Sequence, residues 1–355
     1  MLGIDGRAAS AAWTVFLLAL LVAIAYTIRE ILAVFVIAVL FAYLLMPLVG
    51  LVERFTPRQI SWKVALGVVY LLLVGVIVAL AMTLGGRLVE EANGLAQQLP
   101  NLITNRDWVD RIPLPGWLEP LRSRIFPTLQ EQFETGGKGI LPYVGAIGGH
   151  LVSGAKYLLY VVLIPILAFF FLKDAREIRD SMLESFVDEA RRPVVDNILE
   201  DINVLMGEYI RALVMLSISS FAANSIFLGI SGAPYAVLLG GVAGMGEFIP
   251  VIGPVASAVI ILLVTGLSGY SHLFLFVIFW IVLRLFQDYV LSPYLMGRGV
   301  KLNPLLVLFG VLAGGEIAGV TGIFFSVPVI ATLRVIYVRL RHTRAVELIP
   351  PRARS

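Results

Sequence analysis

Apolar residues along this chain come in long runs, not in the one-face stripes of a soluble helix. Residues 12–28, 31–52, 63–84, 150–172, 209–231 and 271–292 form six such runs. A hydrocarbon core of about 30 Å needs roughly 20 apolar residues of helix, so each run predicts a transmembrane span. Two further apolar segments, Pro234 to Ser268 and Pro304 to Tyr337, are long for one span and short for two. Both carry helix-breaking residues midway: Pro250, Gly253 and Pro254 in the first; Gly314, Gly315, Gly319 and Gly322 in the second. Proline removes a backbone donor and clashes with the preceding turn, and glycine weakens a helix. The pattern predicts an all-α polytopic membrane protein with about eight hydrophobic segments. Six are full spans and two are broken or re-entrant helical hairpins forming an inverted repeat.

Polar stretches divide the chain further. Residues 1–84 hold the first three spans, and 85–148 are a proline-rich insertion with Trp108 and Trp117, placed outside by the parity of spans. Leu88, Leu95 and Leu99 suggest a short amphipathic helix at its start. Residues 149–208 join a span containing Pro165 to a charged stretch. There Ile178, Met182, Phe186, Ile198 and Ile202 recur at helical spacing around Pro193, which predicts two amphipathic cytoplasmic helices. Residues 209–338 form the core with the broken segments, and 339–355 a basic cytoplasmic tail. Arg54, Arg58 and Lys63 between the second and third runs, together with the arginine-rich tail, place both termini in the cytoplasm of a bacterial inner membrane. The first run reads as a retained helix, not a cleaved signal. Arg298 and Lys301 fall on the cytoplasmic side only if the broken segments are hairpins, which favours hairpins over full spans.

Composition narrows the chemistry. Only 14% of the 355 residues are charged, against about 25% in a soluble domain. The chain has no cysteine, and its three histidines, His150, His272 and His342, lack metal-ligand spacing. No phosphate-binding G-x-x-x-x-G-K-[ST] loop occurs, and no nucleophile motif or catalytic carboxylate pair is visible. The expectation is a non-enzyme without cofactor or metal. A net charge of +3 concentrated after the last span reads as a topology anchor and not as a nucleic-acid site.

The two broken segments resemble each other. PYAVLLGGVAG from Pro234 and PLLVLFGVLAG from Pro304 share six of eleven positions, including Gly240/Gly310 and Gly244/Gly314, and each is followed by an acid, Glu247 or Glu316. Both contain a G-x-x-x-G pair suited to close backbone approach. Unwound backbone inside a membrane is tolerated only where protein or a water-filled cavity covers it, and intramembrane acids commonly mark a pathway. The candidate solute or ion pathway is therefore Glu247, Pro250, Gly253, Pro254, Glu316, Gly319, Gly322 and Asn303. Arg211, Arg284, Gln287 and Asp288 are structural or coupling polar groups. Arg284 and Asp288 lie four apart on one helix face and suit a mutual ion pair.

Several pieces in order also resemble the autoinducer-2 exporter (AI-2E) family of transporters and permeases. They are Tyr209-Ile210-Arg211, the P-x-A-x-L-x-G of 234–240, Phe248-Ile249-Pro250-Val251-Ile252-Gly253-Pro254, Gln287 to Pro293 with Met296-Gly297, Leu302-Asn303-Pro304-Leu305, Gly319-Val320-Thr321-Gly322 and Val327-Pro328. The chain departs from the family at Ala212-Leu213, where Gly-Gln is common, and at Asn303, where His is common. The resemblance implies a secondary transporter of a quorum-sensing signal. It also implies a link to sodium/proton antiport and a homo-oligomer, with a pentamer among the assemblies suggested.

The leading expectation is outward transport of a small polar signal or metabolite, coupled to H+ or Na+. A Na+/H+ antiporter, a passive channel and a non-transporting membrane scaffold are the alternatives. The expected partners are the lipid bilayer, a small polar solute or cation, and copies of the chain, with no nucleic acid.

Overall fold

The computed structural model describes residues 6–55, 62–104, 155–186, 188–189, 191–296 and 303–347. The loop carrying Arg58, most of the insertion with its two tryptophans, Arg298 and Lys301, and the end of the basic tail lie outside the described residues. Among the described residues ten α-helices follow one another: α1 Gly6–Thr27, α2 Arg29–Phe55, α3 Trp62–Thr104, α4 Ala155–Phe186, α5 Arg192–Ile230, α6 Ala236–Gly246, α7 Ile252–Leu267, α8 Leu273–Phe286, α9 Ser292–Met296 and α10 Pro304–Glu347. A π-helical turn, Gln287–Leu291, joins α8 to α9. The described residues contain no strand.

Among the described residues five stretches are long and apolar enough to cross a membrane: Arg29–Val52, Lys63–Gln98, Arg192–Ile230, Leu273–Leu295 and Leu305–Arg341. Large apolar side chains lie open along their outer faces, among them Leu71, Met82, Ile230 and Phe309. In water such a surface would aggregate; in a bilayer it is the lipid face. The chain is a multi-pass membrane protein.

The charged stretch differs from two separate surface helices. Its first half continues the fourth span as the end of α4, and its second half is the beginning of α5. No breaker separates Leu172 from Lys173 or Glu208 from Tyr209, so the backbone passes unbroken from apolar to polar surroundings. The interruption falls between Phe186 and Arg192, with Pro193 in the first turn of α5, where its missing N–H costs nothing. Arg179 and Asp196 pair across that interruption. Likewise α3 runs straight from its span into the first twenty residues of the insertion.

Two packing centres hold the helices. Leu45 and Val49 of α2, Leu66 and Val69 of α3, and Ala168 and Leu172 of α4 form the first. In the second, Leu95 of α3 meets Leu228 of α5, Leu239 of α6, Ile261 of α7 and Phe276 of α8. Helix α5 is the axis of the core and touches α2, α6, α9 and α10.

Both broken segments are hairpins. In the first, α6 and α7 are antiparallel arms of 11 and 16 residues, about 16 and 24 Å long. Ser257 Oγ reaches across to the Val242 carbonyl at 3.1 Å, and Gly253 meets Gly246 backbone to backbone. A Cβ on Gly246 would stand 2.8 Å from the Gly253 carbonyl oxygen. Only glycine permits this approach. The second hairpin lies within α10, whose helical backbone is lost at Ala318 (φ −139°) and Gly319 (φ 59°). There Gly314 packs on Gly322, and Gly310 on Ser326 and Ile330. Along a straight helix Gly310 and Ile330 would be about 30 Å apart, so the chain doubles back.

The sequence repeat and the structural one are not in the same register. Gly240 and Gly244 face α5, against Ser225, Phe221 and Ser217. Gly310 and Gly314 instead face the returning arm of their own hairpin. One small-residue pattern serves two different close contacts, because either needs only two glycines on one helix face.

The hairpins enter from opposite ends of α5. Hairpin one opens beside the end of α5 and runs back along Ser225, Phe221 and Ser217. Hairpin two opens at the beginning of α5, where Ala331 and Val335 pack on Leu205, Met206 and Ile202. Arg339 there donates two hydrogen bonds to Asp201, at 2.6 and 2.9 Å. The hairpins meet where the Phe248 and Phe324 rings lie 5.9 Å apart.

Candidate functional site

Glu247 is the first residue after α6, at the tip of hairpin one, and is 8% exposed. Chain geometry fixes it there: α6 cannot run further, because the tip must turn through Phe248 to Val251, and Val251 takes a positive φ of 66°. A carboxylate so buried needs compensation for lost hydration. Arg284 of α8 supplies it, with Nη1 3.4 Å from Glu247 Oε2. Ser220 of α5 lines the small space beside the carboxylate. The Arg284 guanidinium is shared: its Nε donates to Asp288 Oδ2 at 3.0 Å and its Nη2 lies 3.0 Å from Oδ1. Glu247, Arg284 and Asp288 thus form a chain of alternating charge from the buried tip to an exposed carboxylate.

A cavity of about 1180 Å³ leads to this group. Glu247, Pro250, Pro254, Arg284 and Asp288 form its inner end, and Val307 and Val327 of hairpin two form part of its wall. Glu200, Asp201, Glu208 and Tyr209 of α5, with Arg334 and Arg339 of α10, line the rest. Five carboxylates and three guanidiniums therefore bound one cavity. A much smaller pocket of about 10 Å³ lies beside it, lined by Ser220, Glu247, Ser257, Arg284 and Gln287 among others. Glu247, Pro254 and Arg284 belong to both.

The structure brings part of the sequence-predicted set together. Glu247, Pro250, Pro254, Arg284 and Asp288 share the large cavity, and Gln287 lines the small one. Gly253 contributes through its contact with Gly246, which closes the hairpin tip. Glu316 is exposed on the first arm of hairpin two, two residues before the kink at Ala318. Gly319 forms the kink and Gly322 packs on Gly314. Asn303 caps α10: its Oδ1 accepts the Leu305 N–H at 2.9 Å, the ordinary service of an asparagine before a helix. Arg211 is exposed on α5. None of these last five lines either cavity.

Ser220 and Ser257 were not singled out from the sequence, and Tyr209 entered only as part of the family resemblance. Ser220 stands one turn before the intramembrane Asn224, whose Nδ2 donates to the Ser220 carbonyl at 2.8 Å. That spacing of polar residues in an apolar run was the available signal. Among the described residues no cluster of His, Cys, Asp or Glu suits a metal ion.

Comparisons with known proteins identify the family. The chain is 29% identical over 206 residues to "Putative transport protein YrrI" of Bacillus subtilis, covering 57% of this chain and 58% of that protein. It is 22% identical over 331 residues to "Putative transport protein YueF" of the same organism, covering 90% and 85%. A "Putative transport protein" of Methanothermobacter thermautotrophicus is 27% identical over 330 residues, covering 89% and 90%. The model of the AI-2E family transporter matches residues 15–342, nearly the whole chain, and the protein with these two opposed hairpins is a membrane transporter of the AI-2E family.

Proposed function

We propose that the protein is a secondary transporter that moves a small polar signal or metabolite outward across the bacterial inner membrane, coupled to H+ or Na+. The observation that carries this reading is Glu247, a buried carboxylate at the broken tip of hairpin one and at the inner end of a cavity of about 1180 Å³. A buried acid held by a shared arginine has two states of comparable use. Ionised, it binds Arg284; protonated or contacted by a cation, it releases Arg284 to Asp288. The solute enters from the charged end of α5 and meets the non-helical tip of hairpin one at 247–251. Coupling follows because proton or cation at Glu247 and solute at Arg284 compete within one charge chain. The opposed directions of the two hairpins support alternating exposure of this point to the two faces of the membrane.

The test uses the purified full chain in proteoliposomes with a pH-sensitive dye trapped inside. A panel of radiolabelled small polar solutes and sodium is supplied across a pH gradient. Solute or sodium flux that moves with protons, and is lost in Glu247→Gln, is the expected result. Wild-type flux at channel-like rates, unaffected by either gradient, would overturn it.

A further inference from the structure

Beside the large cavity, and sharing Glu247, Pro254 and Arg284 with it, lies the small pocket of about 10 Å³. That is about the volume one water molecule requires, and a water site also needs two to four polar partners. The partners are present. Gln287 is 2% exposed, and its Nε2 has no hydrogen-bond partner. An orphaned buried donor carries a cost that natural proteins seldom leave uncompensated. Ser257 is buried as well; its hydroxyl donates to the Gly253 carbonyl at 2.8 Å, which leaves its oxygen able to accept. Ser220 and the Glu247 carboxylate complete the polar lining.

The π-helical turn produces this arrangement. Gln287 lines the small pocket and its neighbour Asp288 lines the large cavity, with Arg284 one turn earlier reaching both. A π turn is rare and recurs at functional sites because it redirects side chains. Here it places an amide in the small pocket and a carboxylate in the large cavity.

We propose that this pocket binds a single water molecule, held by Gln287 and hydrogen-bonded to Glu247. Two donors, the Gln287 amide and the Arg284 guanidinium, line a space for one small molecule. A hard cation takes several oxygen ligands and finds the wrong chemistry here; a water oxygen accepts from Gln287 while its protons reach Glu247 and Ser257. The charged groups nearest Glu247 are Arg284 of α8 and Asp288 of the π turn; in the small pocket α5 and α7 contribute the hydroxyls of Ser220 and Ser257, while Glu208 and Tyr209 of α5 line the large cavity. The water is thus a partner of Glu247 that stays when Arg284 moves to a solute. It lets the carboxylate release Arg284 without being left bare in an apolar environment. This role rests on the transport reading above; the water site itself does not.

The test is a high-resolution cryo-EM map of the full chain in lipid nanodiscs, with proteoliposome flux measured in parallel. Expected are one ordered density within hydrogen-bond distance of Gln287 and Glu247, and its loss in Gln287→Met, which keeps length and removes the donor. Coupled flux in Gln287→Met should fall roughly tenfold, the scale of one hydrogen bond to a charged group. A wild-type map that resolves waters elsewhere but none here, or density unchanged in Gln287→Met, overturns the proposal. If the water is present but Glu247→Gln transports normally, the site stands and the transport role fails. If Glu247→Gln is inactive and the pocket is dry, the transport reading stands and the water site fails.

Discussion

Arg284 Nη1 lies 3.4 Å from the Oε2 of Glu247, which stands 37 positions earlier, at the tip of hairpin one. The two partners are unequal. Glu247 is buried, whereas Arg284 is partly open and has Asp288 as a second partner. Removing the arginine strands a buried charge; removing the acid does not. Arg284→Met should therefore destabilise the protein by about 2 kcal/mol, below the range for fully buried pairs because Arg284 keeps some solvent contact. Glu247→Gln should cost less than half of that. Thermal unfolding in one detergent, read by intrinsic fluorescence, checks the order. Adding Glu247→Gln to Arg284→Met should restore part of the loss, and equal single-mutant effects would speak against the asymmetry.

Hairpin one should distinguish sharply among its glycines. A Cβ at Gly253 would collide with the Gly246 carbonyl, while one at Gly241 has nothing within 4 Å. Gly253→Ala should separate the arms and cost several kcal/mol, on the scale of overpacking at a site that cannot yield. Gly241→Ala should be neutral or stabilise by up to about 1 kcal/mol through helix propensity. Comparing expression and melting temperature of the two variants decides this.

Much of this fold was legible in the sequence, and the limits have physical causes. Pro250, Gly253 and Pro254 announced the break in hairpin one because each acts on its own backbone. Gly319 did the same for hairpin two. The continuity of α4 and α5 through charged surroundings was not legible, since helical periodicity changes its solvent without changing its backbone. The link from Glu247 to Arg284 depends on the fold placing α8 beside the hairpin tip. The π turn at Gln287 has no sequence signature, and it decides which cavity each neighbour lines. Asn303 shows a limit of another kind: a polar residue beside an apolar run does not reveal that its side chain caps a helix.

The doubled-back path of α10 admits a direct chemical check. A Cβ built on Gly310 lies 3.5 Å from the Ser326 Cβ, the separation found across disulfides. The chain has no cysteine of its own. Gly310→Cys with Ser326→Cys should therefore form an intramolecular disulfide under mild oxidation once the Ile330 side chain yields, detected by mass spectrometry of the tryptic digest. Two free thiols would mean that this segment is one straight helix, with the positions about 24 Å apart.

Helix α3 reaches past its span to hold the open end of hairpin one. Glu91 Oε2 accepts the Leu238 N–H at 2.7 Å, in the first turn of α6. The cap residue of α6, Tyr235, provides no side-chain cap of its own. Instead its hydroxyl donates to Gln98 Oε1 at 2.9 Å. Glu91→Ala should cost about 1 kcal/mol, as loss of an N-terminal cap does. The loss should appear as faster hydrogen exchange at 236–239 with little change in α7.

The measurement that bears most directly on the central claim compares Glu247→Gln with Glu316→Gln in proteoliposomes. The two acids follow the repeated PxxVLxGxxAG motif, yet one is buried at the inner end of the large cavity and the other is exposed outside it. The account predicts that Glu247→Gln lowers coupled flux by roughly a hundredfold, the effect expected of an intramembrane acid on a transport path. Glu316→Gln should stay within about twofold of wild type, as an exposed residue off that path would. Wild-type flux in Glu247→Gln, or loss of flux in Glu316→Gln alone, would contradict it.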